Sequence, residues 1–370
     1  MSARRPVPST RDEEHPTMTS ISRRRFAVGI AAAGPVALLA SALFAGPAAA
    51  QVTITVNGSG GGLAQTITRI YEEPFTKETG IKVRATAPVS LPKLKAMVES
   101  GNVEWDMTEL GGSDVIEATK HGWLQPVDWK VVDPDGKLPD IAKRPNAMVT
   151  SSFSTVLAYR TDKFPAGKGP KNWADFWNVK AFPGPRALQN SPVGNLEFAL
   201  LADGVAPDKL YPLDVERAFK KLDQIKDKVT VWWTTGAQHV QLLVDGEVVM
   251  TSVWNGRITP LRREGRPVAI TYGGGSLQLS YWGIPKGAKH PKEAMLYMRT
   301  RLDPEKGERF VSEVPYPGFV PGLIERLKPE VARDLPIHPD NVAMQFRFDP
   351  EWWASQRAPL TERWNAWLLQ

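Results

Sequence analysis

The fold is decided by the stretch from Val244 to Pro285, which reads VDGEVVMTSVWNGRITPLRREGRPVAITYGGGSLQLSYWGIP. β-Branched residues dominate two short apolar runs, 248–254 and 268–272, and a glycine-rich break precedes a third run that ends at Pro285. We predict three strands here. Between the first two stands Trp254-Asn255-Gly256-Arg257, which combines an aromatic ring, an amide and a guanidinium around a glycine. Because a buried guanidinium needs a partner, this group predicts a face that binds an anionic ligand.

The first fifty residues have the pattern of an export signal. Ser22-Arg23-Arg24-Arg25-Phe26 precedes an alanine-rich apolar run, and Ala48-Ala49-Ala50 follows it. A charged segment, an apolar segment and a small-residue cleavage site indicate secretion, and the arginine pair before Phe26 is typical of twin-arginine export. A membrane anchor is the alternative, but the run is short and is broken by Gly34 and Pro35. We predict cleavage after Ala50 and a soluble periplasmic protein.

Charge and cysteine content exclude several function classes. The 370 residues carry a formal net charge of +6, but residues 1–50 hold six arginines and three acidic residues, so the mature chain keeps 40 basic and 37 acidic residues. This near balance argues against a nucleic-acid partner. The absence of cysteine excludes disulfides, thiolate metal sites and a cysteine nucleophile.

Strands and helices alternate through the first half of the mature chain. Residues 51–56 alternate as a strand does, the glycine-rich loop 57–62 follows, and 63–75 has helical spacing. Residues 105–110 predict another strand, and glycines with a Ser/Asp cap then precede a helix. This alternation predicts an α/β fold whose parallel strands end at one ligand-facing edge. The residues that we expect at this edge are Asn57, Ser59, Gly60, Gly112 and Ser113. A tight turn that only lets the helix pack is the alternative for the first loop.

The second half of the chain adds further candidates. Residues 153–160, 186–190 and 231–234 predict strands, and polar loops follow the last two. The polar residues that we assign to the ligand site are Thr155, Asn195, Thr235 and Gln238. Trp254, Tyr272 and Tyr281 are expected to form an apolar or stacking wall beside Arg257.

Seven short stretches, in a shared order, resemble one family. They are Phe75-Thr-Lys-Glu-Thr-Gly-Ile-Lys-Val83, Gly122-Trp-Leu-Gln-Pro-Val-Asp128, Asn172-Trp-Ala-Asp-Phe-Trp177, Asp245-Gly-Glu-Val248, Trp254-Asn-Gly256, Ile284-Pro-Lys-Gly-Ala288 and Pro291-Lys-Glu-Ala294. The chain resembles the periplasmic solute-binding proteins of ABC importers, in the branch close to the spermidine/putrescine-binding proteins. The shared order is specific to the family but not to a ligand.

The resemblance implies two α/β lobes, each a mostly parallel sheet flanked by helices, joined by crossing strands that act as a hinge. By that pattern lobe 1 takes 51–156 and 256–312, and lobe 2 takes 157–255 and 313–370. The implied function is capture of a small molecule between the lobes by a monomer, followed by delivery to an ABC permease in the inner membrane. No cofactor and no enzymatic activity are implied.

The departures from the polyamine-binding pattern predict the ligand class. Those relatives hold amines with carboxylates and aromatic rings, whereas no acidic residue stands between Arg266 and His290 here. The first-strand loop lacks the family's aromatic residue, and the loop 190–195 offers amide and hydroxyl groups. We interpret Asp106 and Glu109 as strand-end residues, and we therefore expect a cleft without carboxylates.

Arg257 is the centre of the ligand hypothesis. A cleft with a guanidinium and no acid repels polyamines, because an unpaired buried charge is costly. A guanidinium binds a carboxylate through two parallel hydrogen bonds, so we predict a small organic anion, a carboxylate that is aliphatic or aromatic. Two alternatives stay open. In the first alternative, Arg257 forms a structural ion pair with a nearby acid (Asp245, Glu247 or Glu264). In the second, the ligand is a polyamine held by Asp114 or Glu197.

A secreted hydrolase is the alternative class. The mature histidines are scattered without metal spacing such as HExxH, no G-x-S-x-G elbow appears, and no pair of catalytic carboxylates is evident. A ferric-ion site built on adjacent tyrosines is not expected, because Pro317 follows Tyr316. We predict no metal site.

Overall fold

The computed structural model describes residues 51–370. The twin-arginine signal predicted for 1–50 lies outside these residues. Ten strands occur in the described part of the chain: β1 Thr53–Asn57, β2 Lys82–Thr86, β3 Met107–Gly111, β4 Lys143–Arg144, β5 Ala147–Arg160, β6 Arg186–Gln189, β7 Val229–Trp233, β8 Met250–Trp254, β9 Val268–Gly283 and β10 Phe346–Arg347.

Helices alternate with these strands. The α-helices of residues 51–370 are α1 Gly62–Ile67, α2 Glu73–Thr79, α3 Leu91–Ser100, α4 Gly112–Lys120, α5 Trp129–Val132, α6 Trp173–Trp177, α7 Pro192–Ala202, α8 Val215–Asp223, α9 Gln238–Val244, α10 Asn255–Arg263, α11 Pro291–Arg299, α12 Pro304–Glu313, α13 Leu323–Arg326, α14 Pro329–Arg333, α15 Pro339–Val342 and α16 Pro350–Leu369. A π-helical turn, Thr68–Glu72, joins α1 to α2. Within the described residues no helix is both long enough and apolar enough to cross a membrane.

One sheet runs through the whole described chain in the order β2-β1-β3-β9-β5-β8-β6-β7. The outer pairs β1/β2, β1/β3, β6/β7 and β6/β8 are parallel. The central pairs β3/β9, β5/β9 and β5/β8 are antiparallel. Two parallel halves are thus joined by two long crossing strands, β5 and β9.

The glycine-rich segment differs from the prediction. Residues 268–283 form one continuous strand rather than two strands with a break. Pairing with β5 continues on both sides, and the register shifts where the glycines lie. Gly274 adopts φ +72°, and a Cβ on Gly273 would stand 2.1 Å from the carbonyl oxygen of Lys171. The glycines therefore form a bulge that keeps the strand intact while a neighbouring loop approaches it closely.

Two buried carboxylates tie distant segments together. Asp106 accepts backbone hydrogen bonds of 2.8 Å from Thr55 and from His290. Glu197 accepts three, from the Tyr211 hydroxyl at 2.6 Å, the Trp353 indole at 2.6 Å and the Gly194 amide at 3.0 Å. Through Trp353, Glu197 anchors the C-terminal helix α16.

The buried apolar side chains form three clusters. The first draws on residues 54–149 and 281–335, the second on 157–250 and 346–367, and the third on 156–272. Trp254 packs against both the first and the third cluster. These clusters show which side chains pack together, but they do not show which segments move as one lobe. The boundaries of lobe 1 (51–156 and 256–312) and lobe 2 (157–255 and 313–370) therefore stay a prediction.

Candidate functional site

Residues from both sides of the crossing strands share one cavity of about 90 Å³, called here the central cavity. It is lined by Ser59, Leu63, Ile67, Glu109, Thr150, Ser151, Phe153, Trp254, Arg257, Ser280, Trp282, Arg301, Phe310 and Tyr316. The predicted site residues that the structure brings together here are Ser59, Trp254 and Arg257. The cavity lining combines a few polar and charged groups with aromatic rings, a composition that is usual for small-molecule binding sites.

Trp254 forms one wall of the central cavity at the end of β8. Its ring contacts Trp233 and His239 edge to face, with centroids 5.7 Å and 5.6 Å apart. Burial, followed by the positive charge of Arg257, lowers the pKa of His239 to about 3. His239 is therefore neutral at physiological pH, and it supports the ring of Trp254 without adding charge to the site.

The residues after Trp254 begin a helix rather than a flexible turn. The Asn255 side chain accepts a hydrogen bond of 2.9 Å from the Ser154 amide and donates one of 3.1 Å to the Pro315 carbonyl. A Cβ on Gly256 would stand 2.5 Å from the Tyr316 ring, so only glycine lets the helix lie this close. These contacts fix the first turn of α10 and with it the direction of Arg257.

Arg257 reaches from α10 to the loop after β1. Its Nη2 donates to the Gly60 carbonyl at 3.3 Å, and its Nη1 lies 3.1 Å from where a Cβ on Gly61 would be. Its Nε is buried and has no hydrogen-bond partner among residues 51–370. No carboxylate of these residues lies within 4.0 Å of the guanidinium, so the alternative of a structural ion pair is wrong. The guanidinium remains available to an anion.

Glu109 brings a carboxylate into the central cavity, which corrects the expected cleft without acids. It stands near the carboxyl end of β3, and its Oε2 accepts hydrogen bonds from the Ser59 amide at 3.0 Å and the Ser59 hydroxyl at 2.7 Å. Its Oε1 accepts one from the Ser280 hydroxyl at 3.2 Å. A carboxylate has about four acceptor positions, so Glu109 retains capacity for a positively charged group.

Four further predicted residues are held by contacts outside the central cavity. Asn57 donates to the Pro88 carbonyl at 2.9 Å and accepts from the Thr108 hydroxyl at 3.0 Å. Gly60 contributes its carbonyl to Arg257. Thr155 accepts from Gln278 at 3.2 Å within the crossing strands. Asn195 donates to the backbone carbonyls of residues 189 and 191.

Tyr272 and Tyr281, which were predicted to form a wall of the ligand site, do not line the central cavity and make other contacts. The Tyr272 hydroxyl donates to the Asp334 carbonyl at 2.8 Å, and burial raises the pKa of this phenol. Tyr281 is buried in the first cluster with the Arg144 guanidinium 5.2 Å from its ring centre. The rings that line the central cavity are instead Phe153, Trp254, Trp282, Phe310 and Tyr316.

The C-terminal helix covers the residues predicted at the start of α4. A Cβ on Gly112 would stand 2.9 Å from Pro350, and Ser113 accepts a hydrogen bond from Arg357 at 3.3 Å. Arg357 also pairs with Asp114. Neither Asp114 nor the buried Glu197 lines the central cavity, so the acid that a cationic ligand would meet there is Glu109.

Thr235 lies in the loop that enters α9, and Gln238 is the first residue of α9. The Thr235 hydroxyl accepts from the Gln238 amide at 3.3 Å, and the Gln238 side chain accepts from the Thr234 amide at 2.8 Å. Both therefore shape the loop that carries Gly236 against Trp254. In residues 51–370 no group of three or more histidine, aspartate or glutamate side chains is arranged to hold a metal ion.

Sequence comparisons relate the chain to transport proteins. The model of the family described as bacterial extracellular solute-binding protein matches residues 71–337. A gamma-aminobutyric acid-binding protein of Pseudomonas aeruginosa is 34% identical over 335 residues, which cover 88% of this chain and 94% of the relative. The spermidine/putrescine-binding periplasmic protein of Escherichia coli is 25% identical over 280 residues, covering 72% and 79%.

Solved structures support the same relationship. An ABC transporter substrate-binding protein from Bradyrhizobium japonicum shares 38% identity with a TM-score of 0.79, covering 85% of this chain and 99% of that one. The protein AgtB from A. tumefaciens, solved in complex with agropinic acid, shares 31% identity with a TM-score of 0.80, covering 86% and 99%. These neighbours are two-lobed binding proteins, so the predicted fold class is confirmed.

Proposed function

Because this chain belongs to the bacterial extracellular solute-binding protein family, we propose that it captures, for an ABC importer, a small organic acid that also bears a positive charge. The family membership confirms the resemblance seen in the sequence. One observation carries the choice of ligand. An unpaired guanidinium and a carboxylate line the same cavity and do not neutralise each other.

Arg257 binds the acidic end of the ligand. Its buried Nε is an unsatisfied donor, which costs free energy until an acceptor arrives. A ligand carboxylate supplies two acceptor oxygens in the geometry of the guanidinium fork. The carbonyl of Gly60 already orients Nη2, so Arg257 is positioned before the ligand enters.

Glu109 binds the positively charged end. The Ser59 and Ser280 donors hold its carboxylate in place, and Ser59 precedes Gly60, whose carbonyl orients Arg257. A polyamine fits this arrangement less well, because its second ammonium group would face Arg257 without a counter-charge. The name of the Pseudomonas relative, 34% identical, denotes a ligand with one carboxylate and one ammonium group, which supports the proposal.

The remaining parts of the role are proposed with it. Residues 1–50 direct export, and the processed protein acts in the periplasm as a monomer without catalysing a reaction. The lobes predicted from the sequence close over the ligand, and the closed form docks on an inner-membrane permease. Trp254, which packs against two clusters, couples ligand contact to that closure.

Charge-neutralising variants test the assignment. Arg257→Gln and Glu109→Gln, titrated calorimetrically with γ-aminobutyrate, should each weaken binding by about 30-fold or more, since removing one partner of a buried charge pair costs about 2 kcal/mol or more. The exposed residues Arg266 and Glu99 provide the matched controls Arg266→Gln and Glu99→Gln. Unchanged affinity in both site variants, or tighter binding of putrescine than of any zwitterion, would overturn the proposal.

A further inference from the structure

A second guanidinium, that of Arg301, lines the central cavity in addition to Arg257. Arg301 lies in the 3-10 turn Thr300–Leu302 between α11 and α12 and is only 8% exposed. It contributes to the same cavity as Glu109 but comes from a different segment of the chain than Arg257. A charged side chain this deeply buried requires compensation from its surroundings.

Three aromatic rings surround the Arg301 guanidinium. The guanidinium carbon lies 4.3 Å from the ring centre of Tyr71, 4.9 Å from that of Trp282 and 4.9 Å from that of Phe310. Ring faces attract a cation, but they accept no conventional hydrogen bond and carry no counter-charge. Nη1 is fully buried without a hydrogen-bond partner among residues 51–370, and no carboxylate of these residues lies within 4.0 Å of the guanidinium.

No neighbouring acid in the described part of the chain contacts the guanidinium directly. Glu72, in the π-helical turn, accepts a hydrogen bond of 2.6 Å from Thr68, and burial raises the pKa of its carboxyl group while the charge of Arg301 acts to lower it. Asp303 caps α12 by accepting from the amides of residues 305 and 306. Arg301 therefore faces the cavity with one buried donor unsatisfied and with no carboxylate of residues 51–370 in contact.

We propose that the ligand carries a second acidic group and that Arg301 binds it, so that the captured molecule is an amino dicarboxylate. This inference rests on the proposed function, because it takes the first carboxylate to lie at Arg257 and the amine at Glu109. The aromatic cage of Tyr71, Trp282 and Phe310 excludes water around Arg301. That exclusion strengthens the attraction between the guanidinium and an entering carboxylate.

Three matched ligand pairs test the second acidic group. Aspartate and β-alanine, glutamate and γ-aminobutyrate, and α-aminoadipate and δ-aminovalerate differ within each pair by one carboxylate. Calorimetric titration of the purified protein should show at least one diacid binding about tenfold or more tightly than its partner. In Arg301→Gln the ratio of diacid to monoacid affinity should fall to within about twofold of one.

Two further variants separate the possible failures. Arg301→Lys keeps the positive charge and should retain part of the diacid preference, and its melting temperature shows whether the site is still folded. Arg257→Gln should weaken the binding of both members of every pair.

If the monoacids bind as tightly as the diacids, or Arg301→Gln weakens the binding of both members equally, the second subsite does not exist. Loss of monoacid binding in Arg257→Gln would then still support the proposed function. If no member of any pair binds, both proposals fail.

Discussion

Replacing Gly236 by alanine should weaken ligand binding through the wall of the central cavity. A Cβ at this position would stand 2.6 Å from Cζ3 of Trp254 and 3.0 Å from its Cε3. Ordinary contact between carbon atoms needs about 3.5 Å, so the ring must move by about 1 Å. The ring cannot move back, because Trp233 and His239 pack against it edge to face.

The displaced ring therefore enters the central cavity. Overpacking of this kind costs about 1–3 kcal/mol, which corresponds to an affinity loss of about 5- to 150-fold. Calorimetric titration with γ-aminobutyrate measures the loss, and thermal unfolding without ligand shows how much of the cost is already present in the empty protein.

Gly62→Ala, at the first residue of α1, is the matched control. A Cβ at Gly62 meets nothing within 4 Å, so its affinity should stay within about twofold of the parent protein. If Gly236→Ala binds as tightly as Gly62→Ala, the loop from Thr234 to Ala237 moves instead of the ring. The reasoning that places Trp254 as a fixed wall would then be refuted.

Two buried carboxylates give predictions about stability rather than binding. Asp106→Ala leaves two backbone amides without acceptors and should lower the free energy of unfolding by about 2–5 kcal/mol. Urea unfolding measures this change, and a decrease of less than about 1 kcal/mol would contradict the prediction. Burial raises the pKa of Glu197 despite its three donors, so its stabilising contribution is complete below the unfolded-state pKa near 4.5 and is lost as the pH rises through the folded-state pKa. The stability advantage of the parent protein over Glu197→Gln should therefore shrink from pH 4.5 upward, and an advantage independent of pH would show that folding does not raise the pKa of Glu197.

Much of the architecture follows from local patterns. The strand predicted for 105–110 and the helix after it are confirmed, since β3 spans Met107–Gly111 and α4 spans Gly112–Lys120. The strand that ends at Trp254 is confirmed as well, since β8 spans Met250–Trp254. These features depend on residues close in sequence, where hydrophobic spacing and capping preferences are informative.

The helix α10 and the continuous strand β9 were not predictable in the same way. Residues 255–263 combine glycine and proline with three arginines, which is a poor local pattern for a helix. The contacts of Asn255 with Ser154 and Pro315 stabilise its first turn. Pairing with β5 likewise keeps β9 continuous through its glycines. Tertiary contacts overrode local propensity in both places.

Glu109 shows why the charge of the site was misjudged. Its partners Ser59 and Ser280 lie far from it in the sequence, and their convergence depends on the order of strands in the sheet. One signal was present, because Glu109 stands near the carboxyl end of a parallel strand, the edge that was expected to hold the ligand. The burial of Ser113 under α16 carried no such signal, because the docking of the tail depends on contacts between residues far apart in the sequence, such as Trp353 with Glu197 and Arg357 with Asp114.

A crystal structure of the protein with a bound zwitterion tests the central claim most directly. The ligand carboxylate should lie within about 2.7–2.9 Å of the Arg257 guanidinium nitrogens, with the ligand ammonium at a similar distance from the Glu109 carboxylate. An ammonium group in contact with Trp254 while Arg257 points to bulk water would contradict the account.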